Sequence, residues 1–250
     1  MAAASDPVTE FSHRGATVVV EEHDGRGPHV FLLAHGIGMG RLAFGDLVEH
    51  LRPHGRVVTL DLPGYGDAPE PDRTPTIERM ADLVAALLRA RGLAGAVLVG
   101  HSMGTQVAVE VAARHPGLAS GVVLVGPTVD ARARTAPRQL GRLAHDLAIE
   151  SPKVLWLGTR EYLRAGPHLR RKLRAMLVHR PELAYPRVGV PALVLRGETD
   201  PVCPREWCAL VSALLPDARF AEIAGHGHET MIRDAAPAAA EIMRFAGGSG

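Results

Sequence analysis

The chain has 250 residues, of which 46% are hydrophobic and 22% are charged, enough for one globular domain with a large core. Its 28 Lys and Arg against 27 Asp and Glu leave a net charge of +1, so no overall field favours nucleic acid or an anionic membrane as a partner. The opening residues carry no signal-peptide pattern, and no stretch reaches 18 uninterrupted apolar residues. We therefore expect a cytoplasmic protein.

Apolar runs of strand length alternate with helix-period segments in the first half of the chain. The pattern predicts strands over 16–23, 29–36, 56–66, 95–102 and 119–127, and helices over 41–55, 76–92 and 103–117. The segment 76–92 is the clearest helix, because its apolar residues recur at helical spacing and Gly92 follows its end. Such alternation predicts an α/β fold with a mostly parallel central sheet and helices on both faces.

The alternation stops after residue 127. Residues 128–188 are helix-like and contain no strand-like run, and the strand pattern then resumes over 190–200 and 218–225, with helices over 204–216 and 237–246. The sequence thus predicts a core formed by 1–127 and 189–246, with a helical cap, 128–188, inserted after the strand over 119–127. Residues 247–250 have the composition of a flexible tail.

The segment "VLVGHSMGTQ" raises the question of chemistry, because Ser102 lies between Gly100 and Gly104 where a predicted strand meets a predicted helix. A catalytic serine needs an exposed position, a general base and donors for the developing oxyanion. In the G-x-S-x-G pattern the glycines relieve crowding at a strained turn that exposes the hydroxyl. The alternative is that Ser102 merely caps the following helix.

A base and an acid follow at suitable places in the strand order. Asp200 ends the strand over 190–200, and His228 follows the strand over 218–225, which gives the chain order Ser, Asp, His. His226 is an alternative base, and Glu198 is an alternative acid.

Four local patterns carry a resemblance to a known family: "HG" at 35–36, "DLPGYG" at 61–66, "GHSMG" at 100–104, and "GETD" followed by "GHGHE". In this order they resemble the α/β-hydrolase superfamily, in its branch of small single-domain serine esterases, perhydrolase-like enzymes and C–C bond hydrolases. The resemblance extends from about residue 18 to residue 245.

This resemblance implies an α/β-hydrolase fold and a role for each site residue. Ser102 would be the nucleophile, His228 the general base, and Asp200 the acid that orients the imidazole. The backbone N–H groups of Ile37 and Met103 would form the oxyanion hole.

Other chemistry-bearing residues are expected to support the site. His35 and His101 are expected to pack or hydrogen-bond around it, and Asp61 to fix a loop through backbone hydrogen bonds. Cys203 and Cys208 lie five residues apart, a poor spacing for a disulfide at a helix start, so we expect free thiols without a role. We expect neither a cofactor nor a metal ion, since the H-x-H pair has no third ligand cluster.

The implied activity is cleavage of an ester, or a related acyl bond, of a small to medium apolar substrate, with Met103 giving the acyl site an apolar character. Thioester and C–C bond hydrolysis stay open, as does a non-catalytic ligand-binding protein on the same fold. The cap carries 13 Lys and Arg against 5 Asp and Glu, which favours either a negatively charged substrate, such as a coenzyme A thioester or an acyl carrier protein, or a solvated basic face. Trp156, Leu173 and Leu177 are candidate pocket walls.

Overall fold

The computed structural model describes residues 7–138, 141–142, 168–232 and 234–248. Its strands in chain order are β1 (Val8–His13), β2 (Ala16–His23), β3 (His29–Ala34), β4 (Gly55–Asp61), β5 (Ala96–His101), β6 (Ala119–Val125), β7 (Ala192–Gly197) and β8 (Ala218–Ile223). They form one sheet in the order β1-β2-β4-β3-β5-β6-β7-β8. The β1–β2 and β2–β4 pairs are antiparallel, and every other pair is parallel.

Helices cover both faces of this sheet. They are α1 (Gly45–Leu51), α2 (Ile77–Ala90), α3 (Met103–Arg114), α4 (Leu169–Val178), α5 (Arg205–Leu214) and α6 (Ala236–Ala246), and 3-10 helices cover Arg41–Phe44, Arg52–His54, Ala131–Ala133, Pro181–Leu183 and Tyr185–Arg187. Helices α1 and α6 contribute to one apolar cluster, and α2, α3 and α5 to another. The sheet therefore separates two apolar cores.

The central strands are apolar along their whole length because they are covered on both faces. All six residues of β5 and of β7 are buried, which is the pattern expected of parallel strands between two helical layers. Helix α2 begins where the side chain of Thr76 accepts a hydrogen bond from the N–H of Arg79, and it buries one apolar face.

The sequence prediction missed strand β1, which forms a hairpin with β2. Arg14 and Gly15 connect the two strands with φ angles of 51° and 78°. Two consecutive positive φ angles produce a tight hairpin turn, but Asn-Gly or Asp-Gly is the usual signal, and Arg-Gly lacks it. The partly exposed, mixed sequence of Val8–His13 adds no apolar run.

The predicted end of the helix over 41–55 was also wrong. It consists of a 3-10 turn, the short helix α1 and a second 3-10 turn, and Gly55 is the first residue of β4 rather than a helix stop. A Cβ at Gly55 would lie 2.1 Å from the carbonyl oxygen of His29, so the pairing of β3 with β4 requires glycine at this position.

The described part of 128–188 contains helices and no strand. Gln106 of α3 joins it to the core, since its Nε2 donates to the carbonyl oxygens of Thr128 at 3.0 Å and Met176 at 3.2 Å. Leu173 and Leu177 pack against the apolar cluster that α2 and α3 share. Trp156 and the predicted helix around it lie outside the described residues.

The described helices include none with both the length and the apolar character needed to cross a bilayer.

Candidate active site

Ser102 occupies a strained turn between β5 and α3. Its φ of 51° and ψ of −116° are rare for a residue with a side chain. A Cβ at Gly104 would lie 2.0 Å from the carbonyl oxygen of Ala34, and one at Gly100 would lie 2.4 Å from that of Gly104. Both glycines are therefore needed for the backbone to make this turn. The N–H of Ser102 donates to the carbonyl of Val125 at 2.9 Å, which ties the turn to β6.

Asp200 and His228 form a buried pair at the same end of the sheet. Nδ1 of His228 and Oδ2 of Asp200 are 2.8 Å apart, and the two side chains are 4% and 0% exposed. A carboxylate can only accept here, so Nδ1 carries the proton and Nε2 is left as the basic nitrogen.

The carboxylate of Asp200 is held from its other side as well. Oδ1 accepts from the N–H groups of Val202 at 2.7 Å and Cys203 at 2.9 Å. Burial by itself would raise the pKa of Asp200, but the charge and hydrogen bond of His228 together with these two N–H groups hold that pKa below its usual range. Asp200 is therefore ionised at neutral pH.

Arg196 supports this loop, and sequence reasoning missed it. Its guanidinium donates to the carbonyl oxygens of Asp200 at 3.0 Å and Cys203 at 2.9 Å. An arginine inside the buried run "ALVLRG" was the available signal, because a buried guanidinium needs several acceptors.

His101 links the serine turn to the histidine loop. Its Nε2 donates to the carbonyl oxygen of His228 at 3.0 Å, and the two ring centroids are 5.0 Å apart. Burial lowers the pKa of His101 to about 3, so its imidazole is neutral. The expected hydrogen-bonding role of His101 is confirmed.

The competing acid and base lie outside the buried pair. His226 is half-buried, and its ring nitrogens face the carbonyl oxygens of Ala224 at 2.9 Å and Asp234 at 3.3 Å. Glu198 is exposed and accepts from the N–H of Gly225 at 2.9 Å. The geometry brings His228 and Asp200 together rather than these two residues.

Two backbone segments border Ser102, and they carry the N–H groups of Ile37 and Met103. A Cβ at Gly36 would lie 3.0 Å from the Cβ of Ser102, so the chain passes directly beside Ser102 before it reaches Ile37. Met103 is the first residue of α3, and its N–H has no acceptor within the helix. Both N–H groups are thus carried by segments next to Ser102.

His35 fixes the backbone that leads into Ile37. Its Nε2 accepts from the N–H of Leu62 at 3.0 Å, so Nδ1 carries the proton that it donates to the carbonyl of Gly36 at 2.7 Å. Burial lowers the pKa of His35, which keeps this tautomer neutral.

Asp61 joins the loop after β3 to the loop after β4. Its carboxylate accepts from the N–H groups of Arg41 at 2.6 Å and Asp67 at 3.0 Å, and it also pairs with the Arg41 guanidinium. The expectation that Asp61 fixes a loop is confirmed. Sequence reasoning missed Arg41, whose guanidinium also contacts Glu21 at 2.7 Å.

Cys203 and Cys208 are free, buried thiols. One potential ligand atom each of Asp200, Cys203 and His228 lie within 4.8 Å of one another. Burial raises the pKa of Cys203 well above its ordinary value, and its thiol donates to the carbonyl of Pro127 at 3.0 Å. A neutral, hydrogen-bonded thiol beside an occupied carboxylate disfavours a cation at this position.

A separate cleft of about 900 Å³ lies between α4 and parts of α2 and α3. Ser102, Asp200 and His228 do not line it. Its walls are rich in arginine side chains: Arg73, Arg114, Arg171, Arg174, Arg180 and Arg187. Four of these arginines, Arg171, Arg174, Arg180 and Arg187, belong to the described cap.

A serine on a strand-to-helix turn, next to a buried histidine–carboxylate pair on a mostly parallel sheet, is the arrangement of α/β-hydrolases. The chain belongs to the alpha/beta hydrolase family, whose family model matches residues 31–241. The fold class, family and hydrolase class predicted from the sequence are confirmed.

Among curated relatives, the chain is 28% identical over 253 residues to the pimeloyl-[acyl-carrier protein] methyl ester esterase of Xanthomonas oryzae, with 88% of this chain and 96% of that protein covered. It is 34% identical over 124 residues to the uncharacterized hydrolase YugF of Bacillus subtilis, which covers 49% of this chain and 45% of that protein. Its fold is similar to that of the enol-lactonase from Burkholderia xenovorans, with a TM-score of 0.80, 22% identity and coverage of 96% and 100% of the two chains.

Proposed function

We propose that the protein is a serine hydrolase that cleaves the ester bond of a small to medium apolar substrate through an acyl-enzyme. The observation that carries the proposal is the hydrogen bond that joins the serine turn to the histidine–aspartate pair. His101, which precedes the strained Ser102, donates to the carbonyl of His228, and His228 is paired with the buried Asp200. The nucleophile turn and the base are thus fixed to each other within one hydrogen-bonded unit.

In the proposed reaction Ser102 Oγ attacks the ester carbonyl carbon while Nε2 of His228 takes the hydroxyl proton. The carbonyl oxygen becomes an oxyanion, and the N–H groups of Ile37 and Met103 donate to it. When the C–O bond breaks, the imidazolium returns the proton to the leaving alcohol. Water then attacks the acyl-enzyme by the same route and releases the acid with Ser102 restored.

The charges around His228 favour this sequence. Ionised Asp200 stabilises the imidazolium that forms during attack and fixes its tautomer. His101 and His35 are neutral because burial lowers the pKa of each. Neither of these two imidazoles therefore carries a positive charge that would oppose the protonation of His228.

Ester cleavage is preferred to its alternatives because the names of the relatives include a methyl ester esterase and an enol-lactonase. A thioester or a C–C bond would be attacked by the same groups, and a non-catalytic binding protein could retain them. The basic cap favours substrates that carry a negative charge, such as an acyl chain ending in a carboxylate or one attached to coenzyme A or a carrier protein.

A fluorophosphonate probe tests the nucleophile. We expect stoichiometric labelling of the wild type at Ser102 and none of Ser102→Ala, with Ser12→Ala as the control that keeps the reactive serine. Absence of labelling at Ser102 would refute the proposal. Labelling without turnover of any ester, lactone or thioester would instead support the binding protein.

A pair of esters of equal length, one ending in a carboxylate and one in a methyl group, tests charge recognition. We expect the ratio of their kcat/KM values to favour the carboxylate at low ionic strength and to fall as salt screens the cap. A ratio independent of salt would show that the cap arginines form a solvated face.

A further inference from the structure

Lys172 on α4 is buried between the cap and the core. The chain has lysine at only two positions, 153 and 172, among its 28 basic residues. The Lys172 side chain is 1% exposed. Its ammonium donates to Glu70 Oε2 at 2.7 Å and to the carbonyl of Gly64, and it lies 4.6 Å from the ring centroid of Tyr65. A compact cation with three donors suits this combination of carboxylate, carbonyl and ring face.

The loop after β4 is shaped to receive this cation. Gly64 has a φ of +77°, and a Cβ there would lie 2.6 Å from Glu70 Oε2 and 2.9 Å from Nζ of Lys172. Any larger residue would push the carboxylate and the ammonium apart. The loop conformation and the seating of α4 therefore depend on each other.

Tyr65, below the ammonium, contacts both sides of the proposed oxyanion hole. Its hydroxyl donates to Sδ of Met103 at 3.5 Å, and its ring meets the His35 ring edge-on at a centroid distance of 5.1 Å. His35 in turn donates to the carbonyl of Gly36, the residue before Ile37. Tyr65 thus contacts Met103 directly, and it contacts the segment that leads into Ile37 through His35.

We infer that Lys172 is a positioning residue that couples the seating of the cap helix α4 to the geometry of the oxyanion hole. The inference rests on the proposed function. When α4 is seated, the ammonium fixes the carbonyl of Gly64, the carboxylate of Glu70 and the face of Tyr65. When α4 moves away, the buried charge loses these partners, and Tyr65 loses the contact that holds it against Met103 and His35.

A positioning residue affects kcat of the folded enzyme, whereas a purely stabilising residue affects only the fraction of protein that is folded. A shift of the oxyanion donors weakens binding of the transition state more than binding of the ester. Lys172→Met should therefore lower kcat about tenfold and weaken binding of a trifluoromethyl ketone, whose hemiketal oxygen occupies the same hole, by a similar factor. KM should change little.

The measurement uses kcat per active site, counted by fluorophosphonate titration so that unfolded protein does not contribute. Lys172→Arg should recover part of kcat, because it keeps the charge. Arg170→Met, at an exposed position of the same helix and outside the arginine-rich cleft, is the matched control and should keep the wild-type kcat. Tyr65→Phe removes only the hydroxyl, and its effect should not add to that of Lys172→Met, since both act through Met103.

Wild-type kcat and ketone affinity per active site in Lys172→Met would overturn the inference while the proposed function stands. If Lys172→Met does not fold, Tyr65→Phe and Glu70→Gln carry the test, and wild-type values in both would overturn it equally. A wild type that hydrolyses no ester would refute the proposed function itself, and the inference with it.

Discussion

Gly126 leaves open the space in which the imidazole of His228 lies. A Cβ at Gly126 would be 2.8 Å from Cε1 and 2.9 Å from Nδ1 of His228, and 3.5 Å from Oδ2 of Asp200. The residue also has a φ of +56°, which disfavours any other side chain. Gly126, the residue after β6, thus shapes the position of the His228 imidazole without contributing a functional group.

Gly126→Ala should displace the imidazole of His228 from its position beside Asp200. Because a misplacement of about 1 Å can cost on the order of 10² in rate, we expect kcat/KM for an ester to fall about a hundredfold. Steady-state kinetics on the folded variant measures this. Gly189→Ala is the control, since a Cβ there meets nothing within 4 Å. Unchanged kinetics in Gly126→Ala would show that the imidazole does not act from this position.

Asp200→Asn should keep the fold and impair proton transfer. The amide would favour the wrong imidazole tautomer, and we expect kcat to fall by about 10⁴, as in a serine protease with the same change. Glu198→Gln, an exposed carboxylate two residues away, should retain wild-type kcat. A loss below tenfold in Asp200→Asn would contradict the role of Asp200 and indicate another acid.

Asp61→Asn and Asp67→Asn compare the contributions to stability of a buried and an exposed carboxylate that both pair with Arg41. The Asp61 side chain is 1% exposed and that of Asp67 is 52% exposed. Replacing the buried carboxylate of Asp61, which also accepts from two backbone N–H groups, should lower the free energy of unfolding on the order of 3 kcal/mol. The exposed pair with Asp67 should contribute less than about 1 kcal/mol. Urea unfolding at neutral pH measures both, and equal losses would contradict the assignment.

His101 should make the protein less stable in acid. Burial lowers the pKa of His101 from 6.5 to about 3, so between these pH values the unfolded chain binds a proton that the folded chain does not. Stability is therefore full above pH 6.5 and falls as the pH is lowered, by up to about 1.4 kcal/mol per pH unit for one group.

His101→Gln keeps a side-chain donor for the His228 carbonyl and removes the titration. The free energy of unfolding, measured in urea at several pH values from 7 to 4, should fall less steeply than in the wild type. His54→Gln, at an exposed position, is the control for loss of an imidazole and should keep the wild-type slope. Identical slopes in His101→Gln and the wild type would show that His101 does not carry this dependence.

Local sequence was sufficient to predict the elements whose conformation depends on their own residues. Helix α2 follows from apolar spacing and the Thr76 cap, and the turn at Ser102 follows from two glycines that lie next to carbonyl oxygens. The buried parallel strands follow from continuous apolar runs. Strand β1 was missed because its stability comes from pairing with β2 and not from its own composition.

The sequence by itself determined the alternation of strands and helices and the order of Ser102, Asp200 and His228, because these depend on local spacing and chain order. Which of two neighbouring histidines contacts Asp200 depends on tertiary packing, because the loop buries His228 against Asp200 and leaves His226 half-buried. The tertiary structure also brought Arg41 to Asp61, Gly126 to His228 and Lys172 to Tyr65. Such pairs lie far apart in the sequence, and their contacts exist only once the sheet and the cap are packed.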